Sequence, residues 1–124
     1  MAAQDEDPRV RKFQKELNAG IVSLVLLATL AEAGEAQYGY QIAKRLERGE
    51  KERTLMKQGT LYPVLRSLSA SGLLESYVEP SVSGPPRRYY RITAAGRAVL
   101  EAWKNAWRET RDFVDITLEG KSDE

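Results

Sequence analysis

Neither cysteine nor histidine occurs among the 124 residues. Their absence removes disulfide scaffolds, thiolate nucleophiles, zinc fingers and imidazole acid–base catalysis from consideration. An enzyme would have to work with carboxylates or a lysine in a cleft, and the acidic residues here are scattered over solvent-facing helical positions. Charge of one sign is lacking too: 19 Lys and Arg face 18 Asp and Glu, for a formal net of +1. There is no internal repeat. The longest apolar run, Ile21 to Ala31, is by itself shorter than the roughly 20 residues that span a bilayer. Ala31-Glu32-Ala33 resembles a small-residue cleavage site behind it, but Asp5, Glu6, Asp7 and Glu16 cancel Arg9, Arg11, Lys12 and Lys15, so a positive leader is missing. A core helix accounts for the run, and the cytoplasm is the expected compartment.

What is present fits one modest domain, with 42% hydrophobic and 30% charged residues. The charge is unevenly spread. Residues 37–97 hold eleven Lys and Arg against five Asp and Glu, whereas the rest of the chain holds eight against thirteen. A basic centre between acidic ends suits a protein that brings one face to phosphates while its flanks keep it in solution.

Periodicity breaks at Gly34, across Gly49 to Lys57, at Gly72 and across Ser81 to Pro86. A short amphipathic helix is expected near Pro8–Leu17, with Val10, Phe13 and Leu17 on one face, leading into a strongly apolar helix over Ile21–Glu32. A third helix is expected over about Tyr40–Arg48 with Ile42, Ala43 and Leu46 inward. A fourth, over about Thr60–Ser71, turns Leu61, Val64, Leu65 and Leu68 inward and stops at Gly72. Leu73–Glu79 and Arg87–Ile92 read as a hairpin. Thr93 then stands at an N-cap position, and Ala94 to about Leu118 continues as a helix of roughly 37 Å.

The fold class expected is mainly α with a small β-hairpin: a winged helix-turn-helix followed by a long C-terminal dimerisation helix. In such a domain one helix enters the major groove and the wing meets the backbone. Lys57-Gln58-Gly59-Thr60-Leu61-Tyr62-Pro63 places polar and basic groups at the start of the fourth helix, where free amides favour a phosphate. Pro63 fits the first turn, and Arg66 extends that face. Tyr62 fits either a contact to DNA or packing of its ring on the hairpin. On the hairpin, alternation groups Arg87, Tyr89 and Arg91 on one face and Arg88, Tyr90 and Ile92 on the other, so one face grips phosphate and the other feeds the core.

Tyr38-Gly39-Tyr40-Gln41-Ile42, Gly59-Thr60-Leu61-Tyr62-Pro63-Val64-Leu65, Gly72-Leu73-Leu74 and Arg87-Arg88-Tyr89-Tyr90-Arg91-Ile92-Thr93-Ala94-Ala95-Gly96-Arg97 together resemble the PadR family of transcriptional regulators, over most of residues 20–107. The length is similar to that of the short subfamily, which ends in one C-terminal helix. The resemblance implies a homodimeric repressor, usually of itself and of a neighbouring detoxification or efflux operon, acting on a roughly palindromic double-stranded operator. It places the recognition helix on about Thr60–Ser71 and the wing on about Tyr77–Ile92, with a DNA face of Tyr38, Lys57, Gln58, Thr60, Tyr62, Arg66, Arg87 and Arg88. The Gly49–Lys57 segment is longer than a tight turn. Its mixed charges, Glu50, Lys51, Glu52 and Arg53, are assigned to solvent.

In the last helix Leu100, Trp103, Trp107, Thr110, Val114 and Thr117 recur at three- and four-residue steps, a seam that needs a partner. Leu100, Trp103, Trp107 and Val114 are the candidates for a dimer interface or ligand site. In some short PadR-like regulators a tryptophan at the position of Trp103 stacks planar ligands, and Glu101, Glu109 and Asp112 would favour a cationic aromatic effector. No metal or cofactor is expected. The chain divides into an N-terminal extension (1–19), the winged domain (20–93), the C-terminal helix (94–118) and an acidic tail (119–124). A winged helix that docks a protein instead of DNA is the alternative, against which the basic residues on both helix and wing weigh.

Overall fold

The computed structural model describes residues 7–47 and 58–120. Helix α1 spans Pro8–Ala33, strand β1 Gln37–Tyr38, helix α2 Gly39–Arg45, helix α3 Gln58–Ala70, strands β2 and β3 Leu74–Glu79 and Arg87–Ile92, and helix α4 Ala94–Glu119. The Gly49–Lys57 segment and the part of the acidic tail beyond Gly120 lie outside the described residues.

The two N-terminal helices expected from the sequence are one. Asp7 caps α1 by accepting from the Arg9 amide at 2.7 Å, Pro8 follows in the first turn, and Gly34 ends the helix in the left-handed region at φ 72°. Nothing between them breaks it, because Asn18 and Gly20 lower helix propensity without removing a backbone donor and Ala19 favours the helix. At 26 residues α1 is long and apolar enough to cross a membrane by length and composition. Its inner face, however, buries Val22, Leu26, Leu27, Thr29 and Leu30 within the domain.

Those leucines form the centre of a core completed by Ile42 and Leu46, by Leu61, Leu65 and Leu68 of α3, by Leu74, Tyr90 and Ile92 of the sheet, and by Leu100. Full burial of each aliphatic side chain contributes about 1.5–3 kcal/mol. Leu100, assigned to the C-terminal seam by spacing, is 4% exposed inside this core.

The hairpin is part of a three-stranded antiparallel sheet in the order β1-β3-β2. Gln37 and Tyr38 pair with Tyr90 and Tyr89, while Leu74 to Glu79 pair with Ile92 to Arg87. A two-residue strand has no periodicity, and β1 was not legible in the sequence. Gly72 closes α3 at φ 81°, with the Leu73 amide donating to the Leu68 carbonyl. Thr93 caps α4 by accepting from the Gly96 amide at 2.9 Å. The outer halves of α1 and α4 leave large apolar side chains in the open: Phe13 at 62%, Phe113 at 71% and Leu118 at 78% exposure.

Candidate nucleic-acid interface

Helix α3 sits with Leu61, Leu65 and Leu68 inward and Thr60, Tyr62, Pro63, Arg66 and Ser67 outward. Its first turn carries no acidic residue, so nothing there opposes the positive end of the helix dipole. Gln58 opens the helix, while Lys57 lies outside the described residues. Thr60 is thus inside the first turn and does not cap it. Pro63 is placed deeper than expected, within the helix, where it removes a donor to the Gly59 carbonyl one turn earlier.

Tyr62 is half-exposed and packs on α2. Its ring covers Gly39 at the start of α2, so closely that a Cβ on Gly39 would meet Tyr62 Cε1 at 2.7 Å. This explains the glycine in Tyr38-Gly39-Tyr40: the hydroxyl end of the Tyr62 ring lies against the backbone of the helix before it. Tyr62 nevertheless remains 39% exposed, leaving it available at the surface. Gln41 fixes the same turn, its Oε1 accepting from the Tyr38 amide at 3.0 Å. Below it, buried Gln37 accepts from Arg45 Nε at 3.0 Å.

On the sheet the three arginines of the wing have different surroundings. Arg91 is taken by Glu75, with Nε donating to Oε2 at 2.9 Å and Nη2 to the same oxygen. Arg87 lies over the Tyr38 ring, 4.4 Å from its centroid. Arg88 shares its face with buried Tyr90 and Ile92 but stands beyond them at the open end of the strand, exposed, donating to Ser76 Oγ at 3.0 Å. The division into a phosphate face and a core face therefore holds for Tyr90 and Ile92 and not for Arg88.

Tyr90 reports how these groups converge. Burial pushes its hydroxyl pKa up, and the positive charges of Arg88 and Arg66 act against that rise, with Tyr62 adding to it. Tyr62 and Arg66 of α3 thus act on the same buried hydroxyl as Arg88 of β3. On the opposite face of the sheet from Tyr90, Tyr38 meets Tyr89 edge-on at 5.3 Å, and Tyr89 stacks on Tyr77 at 5.6 Å. Tyr77 and Tyr89 were not singled out by the sequence as site residues, although their cross-strand register follows once the hairpin is drawn.

The tryptophans lie elsewhere. An open groove of about 500 Å³ runs between α1 and α4, lined by Glu16, Leu17, Gly20, Ile21, Ser23 and Leu24 on one side and Trp103, Ala106, Trp107 and Thr110 on the other. Trp103 is half-buried against the core and Trp107 is 40% exposed. Val114 lies farther along α4, exposed, and does not line the groove.

A helix turned outward beside an arginine-bearing three-stranded sheet, with a long helix behind, is a winged-helix arrangement. The chain belongs to the transcriptional regulator PadR-like family, whose model matches residues 26–102. A PadR family transcriptional regulator from Eggerthella lenta is 32% identical and superposes with a TM-score of 0.75, over 96% of this chain and 98% of that one. A transcriptional regulator of Mycobacterium tuberculosis is 51% identical over 51 residues, 41% of this chain and 47% of the relative. The fold is also that of Bacillus subtilis PadR, solved in complex with operator DNA, at a TM-score of 0.58 and 19% identity over 67% of this chain and 46% of that one.

Proposed function

We propose that this chain is a cytoplasmic, sequence-specific DNA-binding repressor that acts as a homodimer. The observation that carries the reading is the outward face of α3, which exposes Thr60, Tyr62 and Arg66, together with a wing that exposes Arg87 over the Tyr38 ring and Arg88 against Ser76. Helix α3 enters the major groove with Gln58, Thr60 and Tyr62 toward base edges, Lys57 and Arg66 along the backbone, and Arg87 and Arg88 on phosphates from the wing. Residues 20–93 form the reading head, 94–118 the dimer spacer, and the flanking 1–19 and 119–124 an extension and an acidic tail.

The exposed apolar residues of α1 and α4 support the dimer, since Phe13, Leu17, Trp107, Phe113, Val114 and Leu118 are large apolar side chains that a partner copy would cover. Two copies related by a two-fold axis present their α3 helices about 34–36 Å apart, to two halves of a palindromic site. The groove beside Trp103 and Trp107 suits a planar aromatic cation, with Glu16 on its wall. A ligand there shifts α4 against α1 and moves the two reading heads out of register. The resemblance to the short PadR subfamily supplies the target: its own promoter and a neighbouring detoxification or efflux operon.

Fluorescence anisotropy of the protein against a duplex from its own upstream region and a scrambled duplex, at several salt concentrations, tests this. Tight, salt-sensitive preference for the upstream duplex is expected. Weak and equal binding to both would overturn the reading in favour of a wing that docks protein.

A further inference from the structure

Arg87 has two neighbours competing for its charge. In the β2–β3 register its direct cross-strand partner is Glu79, while the diagonal neighbour on the other side, Tyr38 of β1, offers a ring face. Farther along the same strand face the choice falls on the carboxylate, where Arg91 is bound by its own partner Glu75. At Arg87 it falls on the ring: the guanidinium carbon lies 4.4 Å from the Tyr38 centroid. The ring is fixed in that attitude. It meets Tyr89 edge-on, Tyr89 is stacked on Tyr77, and the three tyrosines form one rung across the sheet through the pairs Tyr38↔Tyr89 and Tyr77↔Tyr89. Tyr38 also leads directly into Gly39, on which Tyr62 of α3 is packed. The rung therefore ties the wing to the outward helix.

We propose that Tyr38 is a positioning residue for Arg87, holding the guanidinium on the α2–α3 side of the sheet and away from Glu79, so that its charge stays free for a DNA phosphate. This rests on the DNA-binding reading above and adds what that reading lacks, a reason why Arg87 and not Arg91 is available. A ring–guanidinium contact competes well here because an exposed carboxylate pair gains little in water, while a flat ring costs the guanidinium little hydration. Once captured by Glu79, the charge would release no counterion on binding.

The test is anisotropy titration of the upstream duplex over a salt series, with circular dichroism to verify folding. Tyr38→Leu should weaken binding about two- to fivefold and make the salt dependence shallower by about one phosphate's worth. A neutral tyrosine carries no counterion-releasing charge itself, so this change of slope must come through another residue. Tyr38→Leu should add almost nothing in an Arg87→Ala background. Glu79→Gln should restore more affinity beside Tyr38→Leu than it adds to the wild type, because it removes the trap for the freed arginine. Equal reductions from Tyr38→Leu with and without Arg87 would overturn the proposal. So would an unchanged salt slope. If Arg87→Ala itself leaves binding intact, the assignment of the wing to phosphate fails and this inference with it. If Arg87→Ala weakens binding and Tyr38→Leu does not, the inference fails alone. Should Tyr38→Leu not fold, NMR of the wild type decides: the Arg87 δ protons should be shifted upfield by the ring, and random-coil positions would overturn the proposal.

Discussion

Gly96 sits in the first turn of α4, where replacement by alanine would ordinarily strengthen a helix by about 0.8–1.0 kcal/mol. In this fold the sign should reverse. A Cβ there would press into the Leu73 carbonyl oxygen far inside van der Waals contact, with Leu73 C at 3.1 Å and Ile92 Cγ1 at 2.7 Å. The carbonyl cannot retreat, because it accepts from the Thr93 amide at 3.1 Å and from Thr93 Oγ1 at 3.1 Å. Thr93 is held in turn by the Gly72 carbonyl at 2.8 Å. Overpacking of this kind costs about 1–3 kcal/mol, and a clash with fixed backbone belongs at the upper end, so Gly96→Ala should be destabilised by about 2 kcal/mol net. Urea unfolding at fixed protein concentration, followed by helix ellipticity, reads this as a lower midpoint with unchanged slope. Gly59→Ala, in open space in the first turn of α3, is the control and should be neutral or stabilising by less than about 1 kcal/mol. A Gly96→Ala protein as stable as the control would refute the close approach of α4 to the β2 entrance.

Three further outcomes follow from the same geometry. Gly39→Ala meets only the ring of Tyr62, which can swing aside, so it should cost less stability than Gly96→Ala yet weaken operator binding, measured by parallel melts and titrations. Arg91→Ala should leave the salt dependence of DNA binding nearly unchanged, because Glu75 already neutralises it; a decrease of slope equal to that of Arg87→Ala would contradict the pairing. Arg9 holds the Asp7 carboxyl below its ordinary value of 3.8. The stabilisation this gives is complete above that value and disappears as pH falls through the lower folded pKa. The stability difference between wild type and Asp7→Ala should therefore shrink in acid, followed by urea melts across a pH series.

Much of the fold was readable because its signals are local. The leucine spacing of α3, Gly72 after it, Thr93 before α4 and the alternation in Arg87–Ile92 each act within a few residues, and they place the elements to within a residue or two. Failures arose where distant contacts decide. Asn18 and Gly20 look like a boundary, but they only weaken a helix that tertiary packing of Val22 to Leu30 then carries through. Strand β1 exists because β3 offers it an edge. Leu100 fits a heptad seam equally well from either side, and packing assigns it to the core.

The candidate site was legible as an inventory and not as an arrangement. Composition located the basic residues, and the order of motifs put them on one helix and one wing. It could not say that Arg91 is paired while Arg87 rests on a tyrosine, since both occupy the same strand face opposite a glutamate. Nor could it find Gly39 beneath Tyr62, a contact between residues 23 positions apart in the chain.

The central claim is that α3 and the wing form one DNA-binding face, and the salt dependence of operator affinity tests it most directly. Wild type and an Arg66→Ala, Arg87→Ala, Arg88→Ala variant are to be titrated against the upstream duplex from low to high salt. The variant should bind more weakly, with a slope shallower by about 0.9 for each phosphate it no longer neutralises. Parallel lines of equal slope from a folded variant would contradict the assignment of this face to DNA.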